Sequence, residues 1–433
     1  MITAEPFDTT LVPPALLDAD LDALADEYGT PLFVYDEDEL RARCHEYVAH
    51  FGPGSVAYAG KAFLCEAMVR LVDEEQLHLD VATGGELFVA LHAGFPAARI
   101  VFHGNNKSDD ELRAALDAGV GRIVTDSHDE LDRIEALVAG TNVRPTLLVR
   151  VTPGVEAHTH EFIETGTEDS KFGFTVADGV ARAAAIRVAR SDALQLGGLH
   201  CHIGSQIYVL ESYARALAIV TELAGEVEQE TGRPIQEINL GGGLGTRYLA
   251  DDPPCEIADY AKLLQRALED GARAAALSAS PRLLVEPGRS IAARAAITVY
   301  RVGTVKRIPG VGTYVAVDGG MSDNPRPVLY GAGYEAYLPA RLREPRPMQA
   351  TVVGKHCEQG DVLVAHAQLP EGVAVGDLLA VPVTGAYGYS MASNYNKVPR
   401  PAVVFVRGGN ARVVLRRETQ EDLVRLDLPS GAD

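Results

Sequence analysis

Between about residues 55 and 290, short apolar runs alternate with longer alanine-rich stretches of helical periodicity. Parallel strands need crossovers of a dozen or more residues, and eight strand–helix units in about 250 residues are typical of a (β/α)8 barrel. The sequence therefore predicts an α/β fold with an N-terminal TIM-like barrel over residues 46–294. The eight predicted strands are SVAYAGKA, LHLDVAT, RIVFHG, RIVTDS, RPTLLVRVTP, LGGLHCHIG, EINLGGG and RLLVEPG.

From about residue 295 onward the apolar runs become closely spaced and are separated by Gly, Pro and Asp. The runs are AITVYRVGTVKRI, TYVAVDGG, QATVVGKHC, DVLVAHA, DLLAVPVTGAY and AVVFVRGGNARVVLRR. This spacing is typical of antiparallel strands and predicts a C-terminal antiparallel β domain over residues 295–433. An early apolar run, TPLFVYDEDEL, predicts a further strand, so we expect residues 1–45 to contribute to the same β domain.

Composition narrows the class of protein. The 433 residues contain 39 Lys and Arg against 60 Asp and Glu, and the net charge of −21 argues against binding to nucleic acid. The five cysteines are scattered without a CxxC pair, which disfavours a disulfide framework or a zinc ribbon and fits a reducing cytoplasm. The N-terminal residues lack a signal-peptide pattern, and no apolar run is long enough to span a membrane. We therefore expect a cytoplasmic protein.

Polar residues follow several predicted barrel strands, at the catalytic face of such a fold. Lys61 ends the first strand, where its amine could form a Schiff base with an aldehyde cofactor or simply reach solvent on its aliphatic stem. The glycines in GGGLG, residues 241–245, let backbone N–H groups approach a phosphate. Glu286 and Arg289 flank a Pro-Gly turn, either as site residues or as a surface ion pair.

Two further strings carry candidate chemistry. His200 and His202 share one side of a strand and could bind a metal, although no acidic cluster with metal-ligand spacing accompanies them, so we expect no metal. An imidazole lying against a flat ring, with Ser205 bonding a phosphate, is the alternative. Cys357 is either a buried apolar thiol or a proton donor, and Arg326 could bind a substrate carboxylate through two parallel hydrogen bonds.

Ten strings occur together in order between about residues 30 and 400. They are AYAGKA, ATGGEL, HGNNKS, TGTEDSKFGF, HCHIGSQ, NLGGGLG, EPGRS, DGGMSDNPRPVLY, HCEQGD and GAYGYSMASNYN. In this set the chain resembles the diaminopimelate decarboxylases, fold-type III pyridoxal-phosphate enzymes with an alanine-racemase-like barrel. The resemblance implies the cofactor pyridoxal 5'-phosphate, decarboxylation of meso-2,6-diaminopimelate to L-lysine in the last step of lysine biosynthesis, and a head-to-tail homodimer. Thr83 stands where the family commonly has Ser.

The resemblance also implies roles for individual residues. Lys61 would bind the cofactor covalently, His202 would stack on its ring, and Glu286 would pair with the pyridine nitrogen. Cys357, supplied by the partner subunit, would donate a proton to the reacting carbon. The residues expected to hold the phosphate or nearby cofactor atoms are Ser205, Gly241, Gly242, Gly243, Pro287, Gly288, Arg289 and Tyr387. Those expected at the distal end of the substrate are Arg289, Arg326, Tyr330, Glu358 and Tyr387.

Three other functions are compatible with parts of this pattern. A related decarboxylase could act on ornithine, arginine, carboxynorspermidine or a carrier-bound amino acid, but these substrates lack the second carboxylate that Arg289 and Arg326 would bind. A catalytically silent pyridoxal-phosphate protein could act as a regulatory partner, although Cys357 and Glu358 argue against it. A racemase usually avoids a carboxylate at the pyridine nitrogen, where this chain has Glu286.

Overall fold

The computed structural model describes residues 5–155 and 171–428, and the first six residues of the TGTEDSKFGF string, those before Lys171, lie outside them. The chain forms two compact units. The barrel unit comprises Arg41–Thr246 and Pro253–Ile291, and the β unit comprises the residues up to Leu40, Arg247–Asp252 and the residues from Ala292 onward. The short segment Arg247–Asp252 belongs to the β unit although barrel sequence flanks it on both sides, and the sequence pattern gives no sign of this.

The strands of the described residues are numbered along the chain. They are β1 Leu32–Asp36, β2 Ala57–Ala59, β3 His78–Val81, β4 Ile100–Phe102, β5 Arg122–Thr125, β6 Thr146–Thr152, β7 Phe174–Thr175, β8 Gln195–His200, β9 Glu237–Asn239, β10 Arg282–Leu284, β11 Ala296–Ile308, β12 Gly312–Val317, β13 Met348–Val353, β14 Val362–Leu369, β15 Leu378–Pro382, β16 Ala402–Arg407 and β17 Asn410–Leu415.

The helices are numbered in the same way. They are α1 Pro14–Leu17, α2 Leu21–Tyr28, α3 Glu37–Phe51, α4 Glu66–Glu74, α5 Gly84–His92, α6 Asp109–Ala118, α7 His128–Val138, α8 Val180–Arg190, α9 Glu211–Thr231, α10 Ile257–Ala274, α11 Arg289–Ala292 and α12 Arg326–Tyr330. No helix within residues 5–155 and 171–428 has both the length and the apolar character needed to cross a bilayer.

Eight parallel strands form the barrel sheet in the order β10-β9-β8-β6-β5-β4-β3-β2, with β7 added beside β6. A parallel bridge between Val56 and Val285 joins the first strand to the last and brings the sheet close to closure. Each of the eight apolar runs of the sequence contains one of these strands, so the predicted barrel is confirmed. Its carboxyl-terminal ends carry the loops in which the chemistry-bearing strings lie.

Helices α5, α6 and α7 begin soon after a strand because their first turns are capped. The side chains of Thr83, Ser108 and Ser127 accept hydrogen bonds from the backbone N–H of the residue three positions later. That residue is a glutamate each time, and its carboxylate accepts a backbone N–H in return from Ala82, Ser108 or Asp126. Such caps satisfy N–H groups that the first helical turn leaves without partners.

Side chains two positions apart on a strand share a face, and this alternation builds layers inside the barrel. Arg122 and Glu237 mark a charged layer at the amino ends of the strands, joined by Arg282. An apolar layer follows, with Ala57, Val101, Val124 and Leu148 all buried together. A buried polar layer begins two positions beyond Val101 and Leu148. It is formed by Asp80, His103, Arg150, His200, Asn239 and Glu286.

The β unit contains a sheet in the order β14-β13-β12-β11-β1-β16-β17, with β15 also paired to β11. Most pairs are antiparallel, as the short spacing predicts, whereas β1–β16 and β12–β13 are parallel. Strand β1, from the early run TPLFVYDEDEL, lies between β11 and β16 and is buried along its whole length. A strand with neighbours on both sides and no polar face explains why residues 32–36 are uniformly apolar up to Asp36.

Candidate active site

Glu286 follows β10 at the carboxyl end of the barrel and is only 6% exposed. Three side chains from other strands hold its carboxylate. Nε2 of His103 donates to Oε1 over 2.8 Å, Nε2 of His200 donates to Oε2 over 3.1 Å, and the Asn239 amide donates to Oε1 over 2.7 Å. The other side of that amide accepts the N–H of Gly241 at 2.9 Å, which connects the carboxylate to the glycine turn.

These contacts determine the charge of Glu286. Burial opposes ionisation, but the charge of His103 and the hydrogen bonds from His103 and His200 outweigh it and hold the pKa of Glu286 well below its ordinary value. Burial lowers the pKa of His103, but the nearby Asp80 and Glu286 carboxylates outweigh it and raise that pKa overall. Burial lowers the pKa of His200 to about 4. The site therefore presents a buried carboxylate held by two imidazoles and an amide, and within residues 5–155 and 171–428 no arginine forms an ion pair with that carboxylate.

Lys61 lies in a single helical turn, Gly60–Ala62, directly after β2. The strand is buried, but the lysine itself is exposed. Its amine therefore does not have the unfavourable free energy of burial that is expected for an amine on an apolar strand. Its charge reaches Asp80, Glu86 and His202, because it contributes to the pKa of each. Burial raises the pKa of Asp80 to about 6. Lys61 thus lies in the same region of the barrel as the Glu286 network.

The two histidines considered as a metal pair have separate partners. His200, the last residue of β8, bonds Glu286, whereas His202 lies beyond the strand and its Nδ1 accepts the N–H of Gly242 at 3.3 Å. Burial and the Lys61 charge lower the pKa of His202 well below its ordinary value, so its ring is neutral. A flat, uncharged imidazole beside a glycine turn fits the expected contact with a cofactor ring better than metal ligation.

Within the described part of the chain, His103, His200 and Glu286 place three potential ligand atoms within 4.8 Å of one another. Their lone pairs and protons are already used in direct hydrogen bonds between the imidazoles and the carboxylate. A metal ion would have to replace both bonds, and the absence of a metal stays a prediction.

The glycine turn after β9 has no room for side chains. A Cβ on Gly242 would lie 2.2 Å from the carbonyl oxygen of Glu286, and one on Gly243 would lie 2.2 Å from that of Gly204. A Cβ on Gly241, whose φ is +68°, would meet His202. Glycine is therefore required for these strands' ends to approach one another, which leaves backbone N–H groups at the carboxyl face.

The EPGRS string turns inward rather than forming a surface ion pair. Arg289 is 7% exposed, and its Nη2 donates to the Ser205 hydroxyl over 3.0 Å. The carbonyl of Pro287 accepts the N–H of Ala59, and Gly288 packs on Ala59 and Ala62, so this turn continues the closure between the first and last strands. Ser205 and Arg289 bring a hydroxyl and a cation together at one point, which is a donor set suited to a phosphate.

The remaining predicted site residues belong to the β unit. Arg326 opens α12 and is buried, and Tyr330 ends that helix and is half-buried. Tyr387 is half-buried in a turn with φ +60°, a conformation rare for a residue with a side chain. Cys357 and Glu358 are both exposed, so the interpretation of Cys357 as a buried apolar thiol is wrong.

The backbone around Cys357 is held by polar contacts. Oδ1 of Asn396 accepts the Cys357 N–H at 3.3 Å and faces Nδ1 of His356 at 3.2 Å. His356 is buried and its Nε2 lies 2.8 Å from the Ser322 hydroxyl. Asp361 accepts the His356 N–H at 2.8 Å, which closes the turn that presents Cys357 and Glu358. An exposed thiol on a fixed turn is available to act on a bound molecule.

Comparisons with known proteins agree with this geometry. Residues 37–293 match the family described as pyridoxal-dependent decarboxylase, pyridoxal binding domain. The diaminopimelate decarboxylase of Mycobacterium tuberculosis is 52% identical over 417 residues, covering 94% of this chain and 93% of the relative. The chain belongs to the diaminopimelate decarboxylase family. As a pyridoxal-dependent decarboxylase, it uses pyridoxal phosphate as its cofactor.

Solved structures of diaminopimelate decarboxylases share the whole architecture. The enzyme from M. jannaschi has a TM-score of 0.87 and 32% identity, with 94% of each chain covered. The Helicobacter pylori enzyme complexed with L-lysine has a TM-score of 0.86 and 30% identity, with 94% of this chain and 99% of that chain covered. The predicted barrel and β domain are therefore confirmed by these relatives as well as by the strands themselves.

The residues of the barrel fit the cofactor of this family. Glu286 is buried and ionised, as a partner for a protonated ring nitrogen must be. The glycine turn has no side chains, and a Cβ added there would lie too close to neighbouring atoms. Ser205 and Arg289 provide hydrogen-bond donors for a phosphate, and the neutral His202 provides a flat face. No part of this donor set conflicts with pyridoxal phosphate.

Sequence reasoning assigned no role to three residues that act on Glu286 or its neighbours: Asp80, His103 and Asn239. Each had a signal. Asp80 interrupts the apolar run LHLDVAT, His103 follows the apolar residues of RIVFHG, and Asn239 lies two positions before Gly241 in EINLGGG. A polar residue inside or at the end of an otherwise apolar parallel strand is costly to bury without a partner. Each of the three should therefore have been counted as a candidate site residue.

Proposed function

We propose that this protein removes carbon dioxide from the D-configured centre of meso-2,6-diaminopimelate and releases L-lysine. The observation that carries the proposal is the buried Glu286 carboxylate, which His103, His200 and Asn239 hold ionised beside the glycine turn. A relative of 52% identity that is named for this activity supports the choice of substrate.

The barrel residues would bind and orient the cofactor. Pyridoxal phosphate, when bound, accepts the electron pair that the departing carboxylate leaves behind. Glu286 would keep a proton at the ring nitrogen, and its low pKa supports this because the carboxylate stays ionised. His202 would cover one face of the ring, and Lys61 is the amine that would hold the aldehyde carbon. Ser205, the Gly241–Gly243 backbone, the Pro287–Gly288 turn, Arg289 and Tyr387 would hold the phosphate and nearby atoms.

The β unit would bind the end of the substrate that does not react. That end carries one carboxylate and one ammonium, and it needs a cation and an anion in fixed positions. Arg326 would bind the carboxylate and Glu358 would bind the ammonium. Arg289, which belongs to the barrel unit, is the second cation proposed for the carboxylate. Tyr330 and Tyr387 would complete the pocket. The buried position of Arg326 supports this role, because a desolvated guanidinium binds a carboxylate more strongly than an exposed one.

Cys357 would donate the last proton. When the bond between the α-carbon and the carboxylate breaks, carbon dioxide leaves and that carbon needs a proton, which the Cys357 thiol would supply from Sγ. We propose that a second copy of the chain provides Cys357 and Glu358, so that the working enzyme is a homodimer. The exposure of both residues on a fixed turn supports a role in contact with another molecule.

We also infer a cytoplasmic location. None of the five cysteines, Cys44, Cys65, Cys201, Cys255 and Cys357, forms a disulfide, and unoxidised thiols persist in a reducing compartment. Fractionation of the source cells tests this, and recovery of the protein outside the cytoplasmic fraction would contradict it.

The activity is tested with purified protein, pyridoxal phosphate and four candidate substrates in parallel: meso-diaminopimelate, ornithine, arginine and carboxynorspermidine. We expect carbon dioxide release from meso-diaminopimelate with L-lysine as product, and far slower release from the other three. Faster decarboxylation of any of the others would overturn the proposed substrate. No release from any of them would indicate a silent cofactor-binding protein.

The roles of Lys61 and Cys357 are tested together. Lys61→Ala and the charge-preserving control Lys61→Arg should both lose turnover and lose cofactor that stays attached after borohydride reduction. Cys357→Ala should keep the attached cofactor and lose most turnover. If a second copy supplies Cys357, mixing the Lys61→Ala and Cys357→Ala proteins should restore part of the activity, because some mixed dimers contain one intact site. Absence of any recovery would argue against sites shared between copies.

A further inference from the structure

Arg326 lies in a buried aromatic enclosure within the β unit. Its guanidinium carbon lies 4.6 Å from the ring centroid of Tyr248 and 5.5 Å from that of Tyr334. Nη1 of Arg326 donates a hydrogen bond to the Tyr334 hydroxyl. The two tyrosine rings meet edge to face, with centroids 5.2 Å apart and an interplanar angle of 85°. Arg326 is 6% exposed, and both tyrosines are 4% exposed.

This enclosure leaves the positive charge without an anionic partner. Among the described residues, none of the ion pairs involves Arg326, and its Nε is buried without a hydrogen-bond partner. A buried guanidinium without a carboxylate is costly, and aromatic faces offset only part of that cost. The positive charge of Arg326 is therefore compensated only when an anion binds to it. A carboxylate suits this role because it can accept two parallel N–H groups of a guanidinium.

Tyr248 reaches the enclosure on a segment that the β unit holds in place. The segment Arg247–Asp252 closes on itself, since Asp252 accepts the N–H groups of Tyr248 and Leu249 at 2.8 and 2.9 Å. Arg247 pairs with Asp8 at 3.1 Å. Leu249 packs so closely on Gly333 that a Cβ there would lie 2.9 Å from it. The Tyr248 ring is thus fixed before any ligand binds.

We propose that Tyr248 is a positioning residue that, with Tyr334, fixes the Arg326 guanidinium for the distal carboxylate of the substrate. The inference rests on the proposed function for the identity of that substrate. Tyr248 supplies the face of its ring, whereas Tyr334 supplies a hydroxyl that accepts one N–H. Without the ring, the guanidinium would adopt several orientations and lose part of its binding energy for a planar carboxylate.

The test compares two substitutions that separate the ring from its hydroxyl. Tyr248→Phe keeps the aromatic face and is the matched control, and Tyr248→Leu removes the face but keeps an apolar side chain. In the holoenzyme, Tyr248→Leu should raise KM for meso-diaminopimelate about tenfold, the effect of a partly desolvated cation–π contact, with kcat changed less than twofold. Tyr248→Phe should stay within about twofold of the unchanged protein in both constants.

Arg326→Gln separates positioning from general packing. If Tyr248 acts through Arg326, Tyr248→Leu should have no further effect on KM once Arg326 is replaced. Multiplicative effects of the two substitutions would show that Tyr248 acts independently of Arg326 and would overturn the proposal. Should Tyr248→Leu fail to fold, Tyr334→Phe removes the accepting hydroxyl without removing a ring, and a rise in KM with kcat nearly unchanged is again expected.

Direct binding distinguishes failure of this inference from failure of the proposed function. L-lysine carries the distal carboxylate, and 1,5-diaminopentane is the same chain without it. By calorimetry on the holoenzyme, Tyr248→Leu should weaken lysine binding about tenfold and leave diaminopentane unchanged. Equal lysine affinity in both proteins, or no lysine binding to the unchanged protein, would overturn the positioning role. Lysine binding without turnover of diaminopimelate would contradict the proposed function alone.

Discussion

Two buried glutamates lie at opposite ends of the barrel strands and have different partners. Glu237 begins β9 at the amino end, where Arg122 and Arg282 pair with its carboxylate. Glu286 follows β10 at the carboxyl end, where two histidines and an amide hold it. Both are almost fully buried, and both have a pKa below the ordinary value. Burial and ionisation alone therefore do not distinguish a structural glutamate from a functional one.

The difference lies in the partners. Arginine stays charged at every relevant pH, so the pair around Glu237 neutralises the carboxylate permanently and leaves it nothing further to bind. Imidazoles can lose their charge, and burial moves the pKa of His200 to about 4, so this partner is neutral near pH 7. The carboxylate of Glu286 thus keeps a share of its charge for a protonated group on a ligand. We infer that the buried carboxylate held by titratable groups marks the end of the barrel at which the cofactor binds.

The largest expected effect follows from Glu286→Gln. The amide matches the carboxylate in shape but cannot keep a proton at a pyridine nitrogen, so kcat should fall about 100-fold or more. The loss should appear in carbon dioxide release at saturating pyridoxal phosphate, with the cofactor still bound. A variant that keeps more than about a tenth of the activity would show that Glu286 is not the charged partner of the cofactor.

The matching change at the other end, Glu237→Gln, should leave kcat nearly unchanged and cost stability instead. Removing one partner of a buried ion pair leaves Arg122 uncompensated, and because Arg282 is about half exposed we expect a loss of about 2 kcal/mol in the free energy of unfolding. Urea denaturation of the two proteins measures this. A tenfold fall in kcat of Glu237→Gln with unchanged stability would show that Glu237 is not a purely structural glutamate and would contradict the difference inferred between the two ends of the barrel.

A smaller, pH-dependent effect separates charge from packing at Glu237. Burial raises its pKa, but the hydrogen bonds and charges of Arg122 and Arg282 outweigh it and lower the pKa below 4.5. The stabilisation is therefore present above pH 4.5 and is lost as pH falls through the lowered value. The gap in unfolding free energy between the unchanged protein and Glu237→Gln should be widest at neutral pH and narrow on acidification. A gap that stays constant down to pH 3 would mean that packing, not charge, sets it.

The barrel and most of the β strands could be predicted from the sequence because each strand is a short apolar run of distinct spacing. The strand-end positions of Lys61, Glu286 and the glycine turn could be predicted in the same way, because each begins two residues after a strand, whereas their roles stay predictions. Residues that act through a neighbour were harder to find. His103 and Asn239 contact Glu286 from β4 and β9, and only the order of the strands brings them together.

The enclosure around Arg326 shows the same limit in the β unit. Tyr248 lies 78 positions before Arg326 in a segment flanked on both sides by barrel sequence, and no local pattern connects the two. The grouping of Arg247–Asp252 with the β unit arises from long-range packing. Sequence patterns report on secondary structure and strand ends, whereas cross-segment contacts of this kind depend on the tertiary fold.

The smallest effect concerns a residue at the functional end that has a structural role. Thr83 follows β3 and caps α5 by accepting the N–H of Glu86 at 3.2 Å. Thr83→Ala should therefore cost about 1 kcal/mol of unfolding free energy, whereas Thr83→Ser, the residue common in the family, keeps the accepting hydroxyl and should change it by only a few tenths. Both should leave kcat unchanged, because the hydroxyl is used by the helix. If Thr83→Ala lowered kcat without lowering stability, Thr83 would be a site residue and not only a helix cap. Its structural assignment at the carboxyl end of the barrel would then be wrong.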